Sequence, residues 1–80
     1  MNPNVLVTIQ TIASIAAEAN VAVGVVFGLI KAVRDNWPRR DDEAVIDDAT
    51  LIATMRAEFQ KNADRNAQLI AEIEAGGTGV

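Results

Sequence analysis

The chain predicts an all-α fold of two helices, a long apolar one and an amphipathic heptad one, acting within a helical oligomer or larger assembly. Three observations carry this. Apolar residues recur at helical spacing from Val5 to Val33 with no proline or turn signal between them. A second run, Ile52, Met55, Phe59, Asn62, Asn66, Leu69 and Ile73, alternates spacings of three and four, the a/d pattern of a heptad. The two prolines stand at positions 3 and 38, where they punctuate the pattern. The whole chain reads as one helical unit, residues 1–80: a helix over about 3–36, a bend and acidic cap over 37–48, a helix over about 49–75, and a flexible tail over 76–80.

Composition narrows the function classes. Eighty residues make one small domain, a size at which a single core is marginal unless something staples it. With no cysteine and no histidine, disulfides, Cys/His zinc sites and His-assisted nucleophiles are all excluded. Large core-filling side chains are few, with two Phe, one Trp and no Tyr, so oligomerisation or a membrane is the expected source of stability. A net charge of −4 argues against a nucleic-acid partner, because nonspecific affinity for the phosphate backbone needs a basic footprint.

The first helix opens at Asn2-Pro3, a good capping residue followed by the residue suited to the first helical position. Its stripe is Val5, Ile9, Ile12, Ile15, Ala16, Ala19, Ala22, Val23, Val26, Leu29, Ile30 and Val33, with Gln10, Ser14 and Glu18 on the opposite side of the first half. From Val21 to Ile30 the polar side disappears, and a helix apolar all round is buried in protein or in lipid. Gly24 and Gly28 interrupt this segment at GxxxG spacing, and Ala16 and Asn20 extend the same row backwards. Each glycine costs about 1 kcal/mol against alanine inside a helix, and a flat groove for a second helix would explain both. The alternative is that they relieve crowding within a helical hairpin.

Lys31, Arg34, Trp37, Pro38, Arg39 and Arg40 follow the apolar run. They suit the negative end and stop of a helix near Asn36, and equally an interfacial anchor on the cytoplasmic side of a membrane. Hydropathy over residues 12–30 lies in the transmembrane range, but Glu18 inside it costs about 2.5 to 3.5 kcal/mol on insertion scales. No basic residue precedes Lys31, so a cleavable signal peptide is not expected.

Asp41, Asp42, Glu43, Asp47 and Asp48 are expected to cap the second helix rather than to hold a divalent cation, since the glycine turn of a calcium loop is missing. Asp47 or Asp48 is the expected cap, and Gly76-Gly77 the stop. Lys61 with Asp64 and Arg65 with Glu72 belong to a face of mixed charge. Asn62 and Asn66 are the marked positions of the seam: buried, they would fix register or oligomer order; exposed, they would sit at a hairpin edge. The terminal GGTGV has neither the lysine nor the following helix of a phosphate loop, and Ser14, the only serine, has no histidine to activate it. No enzymatic activity, cofactor, metal or small-molecule substrate is expected.

In layout the chain places an apolar N-terminal helix, the block KAVRDNWPRR and then a heptad helix poor in aromatics. In this it resembles the small helical proteins that phages encode as virion components or holins. The resemblance is one of layout over the whole length and transfers no residues. It implies a repeated structural subunit of a virion or cytoplasmic assembly. Its other branch is an inner-membrane protein that oligomerises through its first helix and keeps its C-terminal half in the cytoplasm. A soluble coiled-coil adaptor is the third reading.

Overall fold

A computed structural model describes residues 3–38 and 46–76. The described chain is all-helical, but it has four helices where two were expected: α1 (Pro3–Ala19), α2 (Val23–Asn36), α3 (Asp48–Gln60) and α4 (Ala63–Glu74). Each long helix of the expectation is broken near its middle.

The first break is a backbone event at Asn20, whose φ is 55°. This is the left-handed region, which asparagine tolerates better than other side-chain-bearing residues. The Val21 amide donates to the Ala16 carbonyl at 3.0 Å and the Asn20 amide donates to Ala17 at 3.4 Å, the two hydrogen bonds of a Schellman stop. Ala22 then starts α2 with extended backbone, its carbonyl accepting from Val25 and Val26 at 3.1 Å each. A chain that would have been about 50 Å of straight helix folds back on itself instead.

The second break is smaller. Asn62 alone leaves helical geometry, at φ −134° and ψ 65°, while Lys61 before it is still helical. No glycine or proline is present at this joint. Between the two breaks the expected stop holds: α2 ends at Asn36, and Trp37, constrained by Pro38, is extended at φ −74° and ψ 131°.

α3 is the hub, packing against α1, α2 and α4, while α1 and α2 pack on each other. Val5, Ile9, Ala13, Ala16 and Ala17 of α1 are buried, as are Val23, Val26, Phe27 and Ile30 of α2. All of these but Ala13 form one core cluster with Leu51, Met55 and Phe59 of α3, Ile46 just before it and Ile73 of α4. Phe59 is the largest side chain wholly withdrawn from solvent. The shortage of aromatics is met by branched aliphatics from four elements, so one chain builds a core that two extended helices could not. The stripe read from the sequence is right at Val5, Ile9, Ala16, Val23, Val26 and Ile30, but Ile15, Ala19, Ala22 and Leu29 are exposed. The turn at Asn20 rotates α2 relative to α1, so one continuous stripe becomes two faces.

Among the described residues, no helix is long and apolar enough to cross a membrane. At about 1.5 Å per residue, α1 and α2 are about 26 and 21 Å long, short of the roughly 30 Å hydrocarbon layer.

The left-handed turn predicts a sign. Asn20→Gly removes the residual steric cost and should raise unfolding free energy by about 0.5–1 kcal/mol, whereas Asn20→Ala should lower it by about 1 kcal/mol. A continuous helix would give the reverse for alanine, so chemical denaturation of the two variants separates the folds.

Candidate functional site

Two groups of residues stand out, a polar joint inside the fold and an apolar face outside it. The joint is built on Arg34, in the last turn of α2, whose side chain is only 13% exposed. Its Nη1 donates to the Ile46 carbonyl at 3.1 Å and to Asp48 Oδ1, and its Nε donates to Asp35 Oδ1 at 2.9 Å. The hydrogen bond to Asp48 raises the guanidinium pKa above its usual value and outweighs the opposing effect of burial. Lys31 lies one turn back, 4.0 Å from Asp48 Oδ2 and 5.9 Å from the centre of the Phe27 ring. Asp47 caps α3, its Oδ1 accepting from the Thr50 amide at 2.8 Å. Hydrogen bonding from Thr50, first from its side chain and then from this amide, holds the Asp47 carboxyl below the usual aspartate range. The cap expected at Asp47 or Asp48 therefore falls to Asp47, and Asp48 serves the ion pair.

These contacts give Lys31 and Arg34 of the basic block partners within the chain. Lys31 and Arg34 tie the end of α2 to the start of α3, and the half-buried Trp37 packs against the core. Pro38 is exposed, and Arg39, Arg40, Asp41, Asp42 and Glu43 lie outside the described residues. On the mixed-charge face the pairs differ from those read by spacing: Lys61 pairs with Glu58 at 2.9 Å and Arg56 with Glu74 at 2.8 Å.

The row Ala16, Asn20, Gly24, Gly28 is not one surface. Ala16 is buried in the core, and Asn20 is exposed in the turn that ends α1. Gly24 and Gly28 stay together on the outward side of α2, and a Cβ placed on either would meet nothing within 4 Å. Crowding inside the hairpin is thus not their reason. Around them Val25 is 56% and Leu29 52% exposed, and Ala32 continues the strip. From Val23 to Ile30 no polar side chain interrupts it. Sequence reasoning picked out the glycines but placed Leu29 in the buried stripe and did not single out Val25. The signal that would have found them is the phase of α2 alone, which is hidden if α1 and α2 are read as one helix.

The seam asparagines also part company. Asn62 is exposed and its side chain caps nothing, although it stands at the N-cap of α4. Asn66 is wholly buried, its Nδ2 donating to the Phe59 carbonyl at 3.3 Å and to the Asn62 carbonyl at 3.1 Å. Its Oδ1 has no partner among the described residues.

A shallow open groove of about 440 Å³ runs between Gln10 of α1 and Thr50, Ala53, Thr54, Ala57 and Glu58 of α3. Its two carboxylates are both engaged, Asp47 as a cap and Glu58 with Lys61. Comparisons with protein-family models, curated proteins and solved structures found no match to this chain.

Two outcomes follow from the joint. Arg34→Met keeps the aliphatic stem but removes the donors to the Ile46 carbonyl and Asp48, leaving Asp48 only the distant Lys31, and should cost about 1–2 kcal/mol in urea unfolding, discounted for the half-exposed Asp48. Arg34→Lys, with a single ammonium in place of the fork, should recover less than half of that. Asp47 has a depressed carboxyl, so its stabilising effect is full above the ordinary aspartate value of 3.8 and is lost as pH falls through its lower folded value. Asp47→Asn keeps the cap acceptor without the titration. The stability gap between wild type and this variant should be constant near neutrality and close in the acid range, which melting curves against pH will read.

Proposed function

We propose that this chain is a non-enzymatic assembly subunit that packs against copies of itself through the outward face of α2. The observation that carries the reading is the pair Gly24 and Gly28. Gly28 gives up about 1 kcal/mol of helix propensity and Gly24, in the first turn of α2, a smaller amount, and nothing among the described residues fills the space a side chain would take at either. Close approach of another helix backbone would require both, and the exposed Val25 and Leu29 beside them supply apolar flanks for the contact. A second copy is the partner that presents the same strip, as a two-fold contact demands. The structural-subunit branch of the layout resemblance agrees with this reading. The holin-like branch needs a spanning helix, and the described residues offer none.

The test exploits the open space at the glycines. Gly24→Gln combined with Gly28→Gln should raise the stability of the isolated chain by about 1–1.5 kcal/mol through helix propensity alone, while the bulk abolishes association. Sedimentation velocity over a concentration series, paired with thermal melts, reads both effects. Wild type that sediments as a monomer throughout, or association that survives the double substitution, would overturn the reading.

A further inference from the structure

The seam of α3 and α4 is written for a straight helix, yet the chain bends it. Ile52, Met55, Phe59, Asn62, Asn66, Leu69 and Ile73 keep the three-four alternation across the joint without a skip, so the pattern ignores the break. The joint itself is weakly built. One residue, Asn62, departs from helical geometry; there is no glycine or proline to hold the departure, and the Asn62 side chain makes no cap. One group inside the bend has no partner among the described residues, the buried Oδ1 of Asn66. A buried acceptor without a donor is a cost the bent form carries and a straight form need not.

From these observations we propose that α3 and α4 straighten into one helix and that two copies of the chain exchange α4. In the exchanged dimer α4 of each copy lies on α3 and α2 of the other, so the contacts that α4 makes in the single chain, including those of Ile73, are reproduced between chains. The bend is replaced by two continuous turns of helix. The two-fold axis passes beside residues 61–62, which brings Asn62 of one copy beside Asn62 of the other and Asn66 opposite Ala57. A short joint between two helices favours such exchange. This interface is separate from the α2 face and does not rest on it.

The Arg56–Glu74 pair gives the test. Its atoms lie 2.8 Å apart in the folded-back chain, whereas a straight helix puts residues eighteen apart about 27 Å from each other. The chain has no cysteine of its own, so Arg56→Cys with Glu74→Cys introduces one reporter pair. It is made in the Gly24→Gln, Gly28→Gln background, which keeps α2 packing out of the readout. Purified protein is incubated over a concentration series, joined with a short bis-maleimide, and resolved on a denaturing gel. Exchange predicts covalent dimers whose share rises with concentration. Asn62→Ala, which favours helix at the joint in both chains, should raise the dimer association constant about five- to tenfold. Two glycines inserted between Lys61 and Asn62 should return the protein to internally joined monomers. The proposal is overturned if internally joined monomers are the only product at every concentration, even in fractions that sediment as dimers. It is equally overturned if neither product forms while circular dichroism shows the helices intact, or if Asn62→Ala leaves the dimer share unchanged.

Discussion

The left-handed backbone at Asn20 is the constraint on which the remaining structure depends. Without it, α1 and α2 are one rod, the residues on its far sides have no partner within the chain, and burial must come from elsewhere. With it, Ile9 and Val26 lie on helices that pack against each other and both join a core organised on Leu51, Met55 and Phe59. The cost is one residue in a region that side chains disfavour, and two backbone hydrogen bonds to Ala16 and Ala17 help to offset it. A single φ angle therefore decides between an extended chain that needs company to fold and a bundle that closes its own core.

The connections between helices follow a common plan with different strengths. Where α2 passes to α3, Arg34 reaches a backbone carbonyl and two carboxylates, and Asp47 closes the first turn of α3. Where α1 passes to α2, backbone geometry alone makes the stop. Where α3 passes to α4, Asn66 adds side-chain donors to the Phe59 and Asn62 carbonyls, which already accept from the Asn62 and Asn66 amides, but brings in an acceptor that finds no donor among the described residues. Charge-assisted contacts tie the end of α2 to the start of α3. The last is the one whose local chemistry is incomplete.

What the sequence made legible follows from which residues act through hard constraints. Pro38 restricts Trp37 whatever surrounds them, so the end of α2 could be read directly. Asp47, followed by Thr50 at the distance a cap requires, was readable for the same reason. Asn20 and Asn62 act through soft preferences. Asparagine accepts a left-handed or irregular conformation but does not demand one, and the apolar period runs through both positions unchanged. Helical periodicity reports which residues seek burial, and it is blind to a turn that leaves the spacing intact. The error at Asn20 then spread to the surface: treating α1 and α2 as one phase put Leu29 with Ile30 on the buried side, although only Ile30 is inside.

The outward face of α2 shows how the two levels combine. From sequence, Val21 to Ile30 is the driest stretch of the chain, and its dryness suits a membrane, a core or an interface equally. The fold divides that stretch. Val23, Val26, Phe27 and Ile30 account for one side as core, and the break at Asn20 with the short lengths of α1 and α2 leaves no spanning helix among the described residues. The side left over is Gly24, Val25, Gly28 and Leu29, which a helix needing only to bury its inner face would fill with polar residues of high helix propensity. Both choices made there instead, glycine and exposed aliphatic, lower the stability or solubility of the chain standing alone. Two local sacrifices on one face, each of the kind that close helix packing reverses, make that face the part of the molecule best suited to contact beyond the single chain.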